Sequence, residues 1–113
     1  MFKELGQIFS MARNLPKIKE EMEKLQQKLG QLIAEGDAGA GMVKVKVNGR
    51  LEVLNCSISD ELLKLNDREM LEDMIRAATN QALQKARVMV ADETSKMATG
   101  LGLPPGMALP GMG

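Results

Sequence analysis

The sequence predicts an α+β fold: a long helix, a small antiparallel sheet of about three strands built on a hairpin, and a second long helix. Three observations predict it. Apolar residues recur at helical spacing from Leu5 to Leu32; Met42–Val47 alternates at period two and runs into Asn48-Gly49; and a second helical pattern opens near Asn66.

In the first helix the apolar positions are Leu5, Ile8, Ala12, Leu15, Ile18, Met22, Leu25, Leu29 and Leu32. From Ile18 the steps alternate four and three, which is the seam of a helix packed on another helix. The segment KEEMEKLQQK is rich in strong helix formers and offers Glu20–Lys24 as an i,i+4 pair. One helix is expected over about residues 3–33, bent near Pro16. The glycines of GDAGAG, residues 36–41, are expected to end it.

Asn48-Gly49 signals a two-residue type I′ turn, which sets Val47 opposite Arg50 and Val43 opposite Leu54. The returning strand then spans about Leu51–Ser59. One face collects Val43, Val45, Leu54, Cys56 and Ile58; the other collects Met42, Lys44, Lys46, Leu51, Val53 and Asn55. Two strands are marginal alone, so a third is expected from Leu32–Asp37 or from a second subunit. Asn66 reads as the N-cap of the last helix with Glu69 as the capping-box acid. That helix is expected to reach about Met97, with Ala78, Ala82 and Ala86 permitting close approach of a neighbour. Residues 1–98 then form the domain, and 99–113, rich in Gly, Pro and Met, a flexible tail.

Composition narrows the function. With 113 residues there is room for one domain, and 15 basic residues balance 15 acidic ones. The chain has no His, and a lone Cys56, so the commonest general base is missing and no multi-thiolate zinc site can form. Neighbouring carboxylates such as Glu72-Asp73 point about 100° apart on a helix and do not converge. No phosphate loop, dinucleotide fingerprint or nucleophile elbow is present. A non-enzymatic binding module without cofactor or metal is expected, in a reducing cytoplasmic compartment. No stretch approaches the roughly 20 apolar residues of a membrane span.

Two surfaces stand out. Arg13, Lys17, Lys24 and Lys28 fall within about 60° of one another on the first helix, a stripe able to track phosphates. Lys44, Lys46 and Arg50 on the hairpin and Arg76 and Arg87 on the last helix extend the set of candidate phosphate contacts. With Phe2 and Phe9 the only aromatics, stacking platforms for single strands are lacking, so if nucleic acid binds, duplex backbone is the physical choice. The second surface is apolar. Met22, Leu25 and Leu29 on the helix seam and Met42, Leu51 and Val53 on the sheet would be wet in a lone protomer, and are expected at a homodimer interface.

GAGMVKVKVNG, then DELLKLNDREMLEDMIRAATNQAL, then a tail with LPPGM, closely resembles the YbaB/EbfC family of bacterial nucleoid-associated proteins. The resemblance covers nearly the whole chain. It implies a tweezer-like α-β-α homodimer that binds duplex DNA with low sequence specificity in the nucleoid and influences its organisation and gene expression. Some relatives carry basic residues early in the second hairpin strand, where this chain has Leu51-Glu52-Val53-Leu54. From the residues alone a second reading stands beside this one: an adaptor whose helical arms clasp a partner protein, suited by neutral charge and adaptable methionines.

Overall fold

The computed structural model describes the backbone of residues 2–102 and the side chains of residues 15–102. The order is α1 (Phe2–Gln31), β1 (Ile33–Ala38), β2 (Val43–Asn48), β3 (Val53–Ile58), α2 (Asp60–Lys64) and α3 (Arg68–Gly100). The α+β expectation holds, and the third strand comes from the chain's own Ile33–Ala38. The sheet is antiparallel in the order β1-β2-β3.

The core forms where α3 lies on the sheet. Val43, Val45 and Val47 point from β2 into it and are fully buried, as are Ala78 and Ala82 on α3, with Ala34, Leu62 and Ala86 completing it. The alanines recur every four residues, so one face of α3 carries no side chain beyond a methyl. Gly36 takes the matching place on β1: a Cβ there would run into the Ala78 carbonyl oxygen and the Ala82 amide nitrogen. Helix backbone therefore rests on strand backbone, and each valine beneath it contributes roughly 1.5–3 kcal/mol by burial.

From this contact α3 runs on to Glu93, whose carboxylate meets Lys28 of α1 at 2.6 Å. The two helices are antiparallel, α1 running toward the sheet and α3 away from it. Much more of α1 precedes Lys28 than of α3 follows Glu93, so roughly 28 Å of α1 continues past the end of α3. Leu25 and Leu29, 6% and 4% exposed, bury the base of this arm, whereas Leu15 farther out is 58% exposed. The radius of gyration is 20.1 Å, against about 13 Å for a compact domain of this length.

Several local expectations are corrected. GDAGAG does not end α1: Gly36, Asp37 and Ala38 belong to β1, and Gly39, Ala40 and Gly41 form the β1–β2 turn with φ of 62°, 54° and 89°. The hairpin is not closed by two residues. Val43 pairs with Ile58 and Val45 with Cys56, and an irregularity lies between Lys46 and Val47, where Val47 meets Val53. The loop is longer because the Asn48 side chain accepts from the Arg50 and Glu52 amides, and Leu51 takes the left-handed conformation at φ 62°. Because the slip at Val43 is an even number of residues, Val43, Val45, Cys56 and Ile58 still share a face. Asp67, not Asn66, caps α3, its carboxylate accepting from the Met70 amide at 3.1 Å. Asn66 instead adopts φ 55° between the helices. The short α2, capped by Ser59, has no counterpart in the expectations and buries Leu62. α3 runs to Gly100, past Met97; the proposed tail from residue 103 onward lies outside the described residues.

Candidate nucleic-acid interface

The nine cations singled out in the sequence have different fates. On α1, Lys17 is exposed, and the side chain of Arg13 lies outside the described residues. Lys24 sits 3.5 Å from Glu20 and 3.6 Å from Glu21. The field of Glu21, then that of Glu20, holds its ammonium charged above the ordinary lysine value. Lys28 is committed to Glu93, which also takes Lys96 at 3.5 Å. The hydrogen bond from Lys28 holds the Glu93 carboxyl below its usual range. The expected stripe is thus already half neutralised by carboxylates.

On the sheet, Lys44 and Lys46 are exposed on the face turned away from α3. Their register partners on β1 are Asp37 and Glu35, so each lysine stands opposite a carboxylate. Cross-strand pairing of this kind supports the sheet and lowers the local positive potential. Arg50 stays exposed but is engaged: its Nε and Nη2 both donate to the Gln26 carbonyl, at 3.2 and 3.0 Å. On α3, Arg76 pairs with Asp73 at 3.1 Å, while Arg87 is exposed. Lys17, Lys44, Lys46 and Arg87 make no ion pair among the described residues. Of the nine, four exposed cations in three places are left with neither an ion pair nor a side-chain hydrogen bond among the described residues, rather than one continuous basic patch.

The residues expected at a dimer interface divide as well. Leu25 and Leu29 are already covered inside the protomer, because the end of α1 folds back onto α3 and the hairpin loop. Met22 and Met42 are half-buried, Met42 against the core. Leu51 and Val53 remain 42% and 55% exposed, joined by Leu54 at 51%. Lys85 was not anticipated. It donates to the Glu35 carbonyl at 3.0 Å, one turn beyond Gln81, whose side-chain oxygen accepts from the Asp37 amide at 2.7 Å. Their i,i+4 spacing is legible in the sequence, but the strand they meet is not.

Residues 4–101 match the YbaB/EbfC DNA-binding family. The chain belongs to that family. It is 41% identical over 105 residues to a nucleoid-associated protein of Bordetella avium, covering 93% of this chain and 96% of the relative. It is 40% identical over 97 residues to a nucleoid-associated protein of Caldanaerobacter subterraneus, covering 86% and 87%. An uncharacterized protein of Helicobacter pylori, known from a crystal structure, shares the fold with a TM-score of 0.56 and 28% identity, over 77% of this chain and 96% of that one. Among the described residues no helix is long and apolar enough to cross a membrane.

Proposed function

We propose that this protein is a nucleoid-associated homodimer that holds duplex DNA by its backbone, with low sequence specificity, and so influences nucleoid organisation and gene expression. Membership of the DNA-binding family over almost the whole chain carries the DNA reading, and both curated relatives are named as nucleoid-associated. Lys17, Lys44, Lys46 and Arg87 are the contacts proposed within the described residues, since a cation held in no close ion pair loses least on meeting a phosphate. Arg13 joins them from the sequence alone. Dimerisation is supported by β3, an edge strand with Val53 and Leu54 exposed and its outer hydrogen-bonding groups unmatched among the described residues.

Salt-titrated binding to several unrelated duplexes tests the reading. Affinities should be similar across sequences and fall steeply with salt. Reversing Lys17, Lys44, Lys46 and Arg87 to Glu should weaken all of them together and flatten the slope by roughly one ion per lost contact. Unchanged affinity in that variant rejects the surface.

One feature favours an adaptor role. Ala38, Met70, Met74 and Ala77 line an open groove at the start of α3, rimmed by Asp67, Glu69 and Asp73. An acidic rim repels DNA and suits a basic protein segment. Purified protein without salt-sensitive duplex binding would leave that reading in possession.

A further inference from the structure

The loop joining β2 to β3 holds more hydrogen bonds than a chain reversal requires. Asn48, 5% exposed, accepts from the amides of Arg50 and Glu52 at 2.9 and 3.1 Å and donates through Nδ2 to Glu52 Oε1 at 2.9 Å. This frame presses the loop against the end of α1. The Gly49 amide donates to the Leu29 carbonyl at 2.8 Å, and a Cβ on Gly49 would lie 2.5 Å from that oxygen. Gly49 is therefore required for close approach, not for a left-handed turn. Beside it, both arms of the Arg50 guanidinium close on the Gln26 carbonyl. Gly30, one turn beyond Gln26, leaves that carbonyl open to a second donor; a Cβ at Gly30 would sit 3.2 Å from Arg50 Cζ. The base of α1 is thus tied to the sheet at two carbonyls.

We propose that Arg50 is a positioning residue: its clamp on Gln26 sets the angle at which α1 leaves the sheet, and it does not itself contact nucleic acid. Its consequence for binding rests on the DNA reading above, because the arm it fixes carries Lys17. Leverage makes the angle matter. About 13 Å of helix separates Gln26 from Lys17, so a 10° change of pitch moves Lys17 by about 2 Å, more than half a phosphate step along one strand, and moves the start of α1, about 36 Å away, by about 6 Å. The Arg50 contact lies near the pivot of that displacement, beside the Gly49–Leu29 hydrogen bond and the Lys28–Glu93 ion pair.

The test uses the full chain and the variants Arg50→Ala, Arg50→Lys and Gly30→Ala. Two quantities are measured: exchange of the Gly49 amide hydrogen without DNA, and salt-titrated affinity for one duplex. Both Arg50 variants should exchange Gly49 about tenfold faster and bind about five- to tenfold more weakly, the scale of one charge-assisted hydrogen bond. The salt slopes of both Arg50 variants should match the parent's, because a residue that touches no phosphate releases no counterion. Gly30→Ala crowds the guanidinium without altering any charge, and should shift both readings the same way by a smaller factor. Unchanged Gly49 exchange in Arg50→Ala overturns the proposal. So does an Arg50→Lys protein that binds like the parent while Arg50→Ala binds weakly with a flatter slope, the behaviour of a phosphate contact. Should Arg50→Ala not fold, Arg50→Lys and Gly30→Ala decide by the same readings. If the parent itself fails to bind duplex, the DNA reading falls, and amide exchange alone still decides the clamp.

Discussion

β1 and β3 flank the same central strand, yet the protomer treats these two edges in opposite ways. α3 lies directly on β1, meeting it backbone to backbone at Gly36. It also reaches over the outer edge, where Gln81 accepts from the Asp37 amide and Lys85 donates to the Glu35 carbonyl. That edge is closed to another strand. β3 receives no such cover: Val53, Leu54 and Cys56 are all exposed, and only Ile58 near its end is half-buried. A helix about 10 Å across covers about two strands spaced about 4.8 Å apart, so the third is left over. An open, partly apolar edge is a template for strand pairing, and in a soluble protein it calls for a partner. Hence the dimer proposal belongs to β3 rather than to the helix seam.

The largest test of this contrast compares register partners. Val45 is fully buried while Cys56 opposite it is exposed. Val45→Asp leaves an unpaired charge in the core and should cost more than about 4 kcal/mol, so the chain will not fold. Cys56→Asp should give a folded protomer by circular dichroism. If both behave alike, the edges do not differ as described. Next, Gly36→Ala on β1 should lose about 3 kcal/mol in urea unfolding, because backbone rather than a flexible side chain occupies the space. Smaller in protomer stability is Val53→Glu with Leu54→Glu on β3. Both sites are exposed, so unfolding should change by less than about 1 kcal/mol, while sedimentation should report monomer. A persistent dimer would move the interface away from β3.

The smallest effect lies at the base of the arms. Hydrogen bonding from Lys28, together with the charges of Lys28 and Lys96, lowers the folded-state pKa of Glu93 below its ordinary value of 4.5. Its stabilisation is therefore fully present above that value and is lost as pH falls through it toward the folded one. Glu93→Gln should reduce stability at neutral pH, and its difference from the parent should shrink on acidification below about pH 4.5. A constant difference from pH 7 to 3 would show that the ion pair contributes nothing.

Part of the candidate site was legible and part was not. The helical spacing of Arg13, Lys17, Lys24 and Lys28 is a local property, so a stripe could be drawn from the sequence. That Lys28 would be consumed by Glu93, and Arg50 by the Gln26 carbonyl, could not. These contacts join residues far apart in the chain, and charge type alone does not choose among many possible partners. The hairpin shows the same limit at short range. Asn-Gly favours a tight turn, but the Asn48 side chain competes for the Arg50 and Glu52 amides, and Gly49 is needed against Leu29. A dipeptide preference of about a kilocalorie yields to a set of bonds that only the assembled loop can form.

The type and order of the two long helices and the hairpin strands, though not the short α2, were determined by the sequence itself, because the periods of 3.6 and 2 are written into neighbouring residues and need no partner to be read. The alternation that separates Val43 and Val45 from Lys44 and Lys46 belongs to the same class and survived even a change of register. Only the tertiary structure decided which alternating strand is covered, since α3 can lie over β1 and β2 but not over β3 as well. It likewise decided which cations remain free, because an ion pair depends on where distant helices cross. Burial and charge pairing are properties of neighbours in space, and the chain acquires those neighbours only on folding.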